Sequence, residues 1–71
     1  MAEQVRAEMV ANVLTVLVAP GDAVSPGDAV VILESMKMEI PVLVEFGGVV
    51  AALGVREGDI VQEGDVMVDI A

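Results

Sequence analysis

The sequence predicts an all-β fold, a flattened barrel-sandwich hybrid of two four-stranded antiparallel sheets with internal pseudo-twofold symmetry. Three observations predict it. Sixteen of the 71 residues are valine, whose branched Cβ stiffens χ1 and favours pleated backbone over helix. No window sustains apolar residues at i, i+3, i+4 and i+7, so helix is not expected anywhere. The segment Gly21-Asp22-Ala23-Val24-Ser25-Pro26-Gly27-Asp28 returns 37 residues later as Gly58-Asp59-Ile60-Val61-Gln62-Glu63-Gly64-Asp65, with five of eight positions identical. Two copies are too few for a solenoid, and two similar halves packed face to face around one aliphatic core are the economical solution.

The elements follow in order. Val5, Ala7 and Met9 alternate with Arg6 and Glu8, the period-two signature of a first strand with one wet face. Further apolar runs at Val13 to Val18, Val30 to Glu34, Met38 to Val44, Gly48 to Leu53 and Val66 to Ile70 are strands, bounded by Gly, Pro and Asp. Two shorter pieces near Val24 and Val61 add a bridge or a two-residue strand each. Pro41 donates no hydrogen bond, which makes the strand after residue 37 kinked or an edge. The Gly-Asp pairs read as turns, with glycine at positive φ and aspartate accepting from nearby backbone N–H groups. A calcium site built from Asp22, Asp28, Asp59 and Asp65 is disfavoured because the dense spacing of an EF-hand loop is missing. Phe46, before Gly47-Gly48, is expected to pack in the core.

Composition excludes most chemistry. The chain has no His, Cys, Trp or Tyr, which removes the usual zinc, haem and iron–sulfur ligands, thiol nucleophiles and imidazole bases. Twelve acidic residues stand against Arg6, Lys37 and Arg56, a formal charge of −9 that opposes nucleic acid and anionic lipid. The apolar runs fall far short of the ~20 residues that cross a bilayer. The N-terminus lacks a cationic region followed by an apolar run, so a cytoplasmic location is expected. Residues 1–71 are expected to form a single domain, monomeric by itself, either free-standing or cut from a longer protein.

One segment stands apart: Glu34-Ser35-Met36-Lys37-Met38-Glu39. The repeat maps Glu34 onto Ala71 and Met38 onto Met1, so Ser35-Met36-Lys37 corresponds to the gap between the chain ends. The chain's one lysine therefore sits on a short exposed hairpin at the end opposite the termini. Methionine ordinarily fills core gaps or forms adaptable contact surfaces. The motif residues alone leave two alternatives about level, a recognised lysine between two contact methionines or an edge lysine that only solubilises while the methionines fold back onto the barrel, and the balance tips to the first because a chain that otherwise avoids lysine keeps one at its most projecting position.

With these residues in view, the sequence resembles the biotinyl/lipoyl attachment domains, specifically the biotin carboxyl carrier type. The resemblance covers essentially the whole chain through the two Gly-Asp copies, Val31-Ile32-Leu33-Glu34-Ser35-Met36-Lys37-Met38-Glu39 and Gly48-Val49-Val50. It implies that biotin is joined by an amide to Lys37, with Met36 and Met38 as flanking recognition contacts and Glu34, Ser35 and Glu39 as hairpin context. Lipoyl domains typically carry Asp-Lys-Ala there, a pattern this chain departs from on both sides of Lys37. Some carriers of bacterial acetyl-CoA carboxylase insert a protruding thumb in the first half. Only Ala19 and Pro20 separate Val18 from Gly21, so the chain looks closer to thumbless domains and small free-standing biotinylated proteins.

The partners implied are a biotin protein ligase, a biotin carboxylase and a carboxyltransferase of the acyl-CoA carboxylase type used in fatty acid biosynthesis. The carrier itself is then no enzyme: the cofactor supplies the chemistry and the protein supplies display. The other readings are a lipoyl-type carrier and an unmodified barrel-sandwich interaction module.

Overall fold

The computed structural model describes residues 3–71. The described residues form eight strands: β1 (Glu3–Arg6), β2 (Ala11–Val16), β3 (Ala23–Val24), β4 (Ala29–Ser35), β5 (Met38–Leu43), β6 (Gly48–Leu53), β7 (Ile60–Val61) and β8 (Val66–Ile70). They pair antiparallel into two four-stranded sheets, ordered β1-β8-β6-β3 and β5-β4-β2-β7. The expected fold class, including both two-residue strands, is the observed one. The 37-residue offset carries one sheet onto the other strand for strand.

The symmetry reaches individual hydrogen bonds. Gly21 N donates to Val50 O at 2.8 Å and Gly58 N to Val13 O at 2.8 Å. Gly27 N donates to Val44 O at 2.9 Å and Gly64 N to Ala7 O at 2.8 Å, again 37 residues apart. Irregularities repeat as well. The register steps past Leu14 on β2 and Ala51 on β6, and past Val30 on β4 and Met67 on β8. A bulge resets the alternation of side chains. That lets Val30 and Val31, and equally Met67 and Val68, be buried in succession.

The Gly-Asp pairs are turns of one kind. Asp22, Asp28, Asp59 and Asp65 each donate their backbone N–H to the carbonyl three residues earlier, at 3.0 to 3.1 Å. Each also accepts that residue's N–H on its carboxylate, at 2.8 to 2.9 Å, through Ala19, Ser25, Arg56 and Gln62. The glycine before each aspartate lies at φ between 89° and 97°, the third position of a type II turn, and Pro20 and Pro26 occupy the second position that such turns favour. Each carboxylate is thus spent on its own turn.

The core is almost wholly aliphatic: Val5, Val13, Val30, Val31, Leu33, Val50, Val61, Met67, Val68 and Ile70 are buried, with no buried polar residue among those described. Three sequence expectations need correction. Strand β1 ends at Arg6, because Ala7 pairs with Asp65 and Gly64 in the crossing turn; Met9 lies in the turn beyond and is exposed. Strand β2 begins and ends two residues before the expected Val13 to Val18 run. Phe46 is 69% exposed rather than a core residue. Its turn is closed tightly on the inner side, where a Cβ on Gly47 would lie 2.7 Å from Val24 O, leaving the ring only the outer face. Pro41 does lie in an edge strand. Met1, the symmetry counterpart of Met38, lies outside the described residues.

One feature breaks the symmetry. The Glu3 carboxylate accepts the N–H groups of Glu45 at 2.8 Å, Phe46 at 3.1 Å and Gly47 at 3.3 Å; the residue 37 positions on is Ile40, which has no such group. The bond from Glu45 chiefly, with those from Phe46 and Gly47, holds the Glu3 carboxyl below its ordinary 4.5, against an opposing push from partial burial. A carboxyl depressed in the folded state stabilises above the unfolded value and loses that contribution as pH falls through the folded one. The wild-type unfolding free energy should therefore exceed that of Glu3→Gln at pH 7, by up to about 1 kcal/mol given solvent exposure, and the gap should close in urea titrations as pH falls below 4.5. Gly48→Ala should cost about 2 to 4 kcal/mol, because Gly48 lies at φ 140° and an added Cβ would meet Ala71 O and sit 2.9 Å from Ile70 Cγ2. Gly58→Ala, at φ 93° in open space, should cost only about 1 kcal/mol in the same titration.

Candidate functional site

Every connection between successive strands crosses from one sheet to the other, with one exception: β4 and β5, neighbours in the same sheet. The crossing turns are held between the sheets. The β4–β5 hairpin is held by its own ladder, which runs from Ala29 opposite Leu43 to Ser35 opposite Met38, and by the pairing of β4 with β2 as far as Glu34. Its base adjoins the chain ends: Val44 pairs with Asp28 at 2.9 Å, and the next residue is clamped by Glu3. Its tip is the six residues of β5 away, about 20 Å at 3.3 Å per residue, in a molecule 33 Å long. Lys37 is thus displayed at the end opposite Glu3 and Ala71, as the repeat requires.

The turn is two residues, Met36 and Lys37, at φ 53° and 65°, the only described non-glycine residues at positive φ. A two-residue hairpin of type I′ has positive φ at both central positions, which matches its twist to that of the strands, and Asn-Gly is the pair that adopts it with least strain. Met-Lys here accepts about 1 to 2 kcal/mol of local strain. The ladder below overrides that cost and closes the hairpin in two residues.

The expected site residues are brought together. Met36, Lys37, Met38 and Glu39 are exposed, and Glu34 and Ser35 are half-buried. Glu34 and Glu39 are cross-strand partners one step below the Ser35–Met38 pair, a like-charge pair that opposes closure slightly. Asn12 lies opposite Glu34 on its other side and Ile60 beyond it. The methionines do not fold back onto the barrel. The sequence did not point to Met9 and Val10, although the Asn12–Glu34 register, continued two residues, sets Val10 level with Met36. Both are exposed apolar residues at the same end of the molecule as Lys37. The repeat holds the signal, since residues 8–10 are the counterpart of the turn at 45–47.

A family profile described as "Biotin-requiring enzyme" matches residues 3–70. The chain belongs to the biotinyl domain family. The "Biotinylated protein TB7.3 homolog" of Mycobacterium leprae is 54% identical over all 71 residues and the whole of that relative. The "Biotin/lipoyl attachment protein" of Bacillus subtilis is 44% identical over 64 residues, 90% of this chain and 88% of that one. Among solved structures, the urea carboxylase of Kluyveromyces lactis superposes with a TM-score of 0.92 and 34% identity over the full chain, which spans 6% of that enzyme.

Family membership assigns covalently bound biotin as the cofactor. The biotinyl domain's tip fits it: an exposed primary amine stands at the apex of a two-residue turn, and no other lysine competes. If strain at the apex is the penalty for displaying Met-Lys, relieving it should stabilise the fold while removing the amine. The double substitution Met36→Asn and Lys37→Gly should raise the unfolding free energy by about 1 to 2 kcal/mol in urea titration.

Proposed function

We propose that this chain is a single-domain, cytoplasmic biotin carrier in which a biotin protein ligase joins biotin to the Nζ of Lys37, and that it serves a biotin-dependent carboxylase of the acyl-CoA type. The position of Lys37 carries the reading: the chain's one lysine lies on the one hairpin among the described residues that joins neighbouring strands of a sheet, at the apex of a turn strained to hold it. An amine and a free carboxylate do not condense to an amide unaided in water, so attachment needs an activated acyl donor supplied by the ligase. Bound there, the cofactor would supply carboxyl-group transfer between a carboxylase site and a carboxyltransferase site. The protein's share is to project the amine, keep the tip rigid and offer Met36 and Met38 as contacts to the ligase, with Glu34, Ser35 and Glu39 setting the hairpin beneath.

The acidic body suits brief encounters. A formal charge of −9, becoming −10 when the Lys37 ammonium is converted to an amide, opposes self-association and favours reversible docking. The similarity to a domain of a urea carboxylase supports the carboxylase assignment, and full-length similarity to a relative named as a biotinylated protein supports the carrier reading.

Incubation with biotin ligase, biotin and ATP, followed by a streptavidin blot and intact mass, tests the reading. One biotinyl group per chain is expected on the wild type and none on Lys37→Arg. Incorporation of lipoate but not biotin by the corresponding ligases would favour the lipoyl-type carrier, and no incorporation of either would favour an unmodified interaction module.

A further inference from the structure

The four described methionines fall into two groups. Met67 is 0% exposed, seated in the core beside Val68 and Ile70. Met36 is 88% exposed, Met38 58% and Met9 38%. Met36 and Met38 flank Lys37, and the backbone of Met36, held at φ 53° within the two-residue turn, keeps its thioether clear of the apolar interior. A thioether on that apex has no protection from a soluble oxidant, whereas that of Met67 is reached only by opening the sandwich.

We infer that Met36 and Met38 are peroxide-oxidation sites whose sulfoxides suppress acylation of Lys37, making the hairpin a reversible redox switch. In the step the sulfur lone pair attacks one peroxide oxygen, the O–O bond breaks, an S–O bond forms and the other oxygen leaves as water or alcohol. The sulfur loses two electrons and the hydroperoxide gains them. A thiol-dependent sulfoxide reductase reverses this, with two thiols becoming a disulfide and the oxygen leaving as water. The physical consequence is local. Two polarizable apolar contacts become strongly polar, chiral groups, and an enzyme that must close over Lys37 then has to desolvate an S–O dipole on each side of it. The effect on acylation rests on the biotin-carrier reading above, while the order in which the methionines oxidise does not.

The test treats the intact chain with limiting hydrogen peroxide, quenches with free methionine and digests with trypsin. Cleavage after Arg6, Lys37 and Arg56 places Met9 and Met36 on one peptide, Met38 on the next and Met67 on the last, and fragmentation separates the first two. Met36 and Met38 should oxidise at least ~10-fold faster than Met67. Ligase-catalysed biotin incorporation into the oxidised protein should fall by about fivefold or more, and sulfoxide reductase with thiol should restore it. The Met36→Leu/Met38→Leu variant, compared with its own untreated rate, should be insensitive to peroxide. The inference is overturned if Met67 oxidises as fast as Met36 while circular dichroism shows the fold intact, if oxidised and untreated protein are labelled at equal rates, or if peroxide still suppresses labelling of the double leucine variant. Untreated wild type that takes no biotin removes the carrier reading and the switch with it, leaving the oxidation order to be judged by mass alone.

Discussion

The constraint on which the rest of the structure depends is the crossing turn. An aliphatic core with no buried aromatic is thin, and it closes only if the chain can pass from sheet to sheet in a few residues without leaving backbone groups unpaired. The four Gly-Asp turns solve this in the same way. Glycine supplies the positive φ, the aspartate N–H closes the turn, and its carboxylate takes the N–H that a type II turn otherwise leaves to solvent. With these turns fixed, the register of the long strands is fixed, and so are the bulges at Val30 and Met67 that double the inward-facing residues where the core is deepest.

How much of this was legible follows from what each signal depends on. The 37-residue repeat is a statement about backbone chemistry, because Gly and Asp are demanded by φ and by a hydrogen bond, so the sheets and their symmetry could be read from it. The bulges could not. Runs such as Ala29-Val30-Val31-Ile32-Leu33 look like uniformly apolar strands, and nothing in valine says which member is the extra one. Phe46 failed for a related reason: hydrophobicity predicts burial on average, but a backbone pinned by Glu3 on one side and pressed against Val24 O on the other leaves its ring no inward path. The Glu3 clamp joins residues 42 to 44 positions apart in the sequence and has no counterpart in the other half, so the repeat conceals it.

The hairpin was legible for the opposite reason. Its meaning lies in an exception to the symmetry, the one place where the first copy has a connection and the second has chain ends. Met36 and Lys37 also violate the local preference for Asn-Gly, and a violation maintained by the surrounding ladder marks a position where residue identity serves something other than folding. The neighbouring Met9-Val10 turn carries no such violation and emerges only when the register is laid out in three dimensions.

Display also sets how such a domain can work. Any chain joined at Glu3 or Ala71 leaves from the end of the molecule where the hairpin has its base, so attachment to a larger protein and access to Lys37 do not compete. An acyl arm on Lys37 would extend roughly 15 Å at ordinary bond lengths, less than half of the 33 Å body. Two sites farther apart than twice that reach are served only if the whole domain moves between them. A carrier that moves between sites must leave each one readily, and an acidic surface that displays exposed apolar side chains at one tip suits that requirement better than a broad apolar face, whose slow dissociation would limit every transfer.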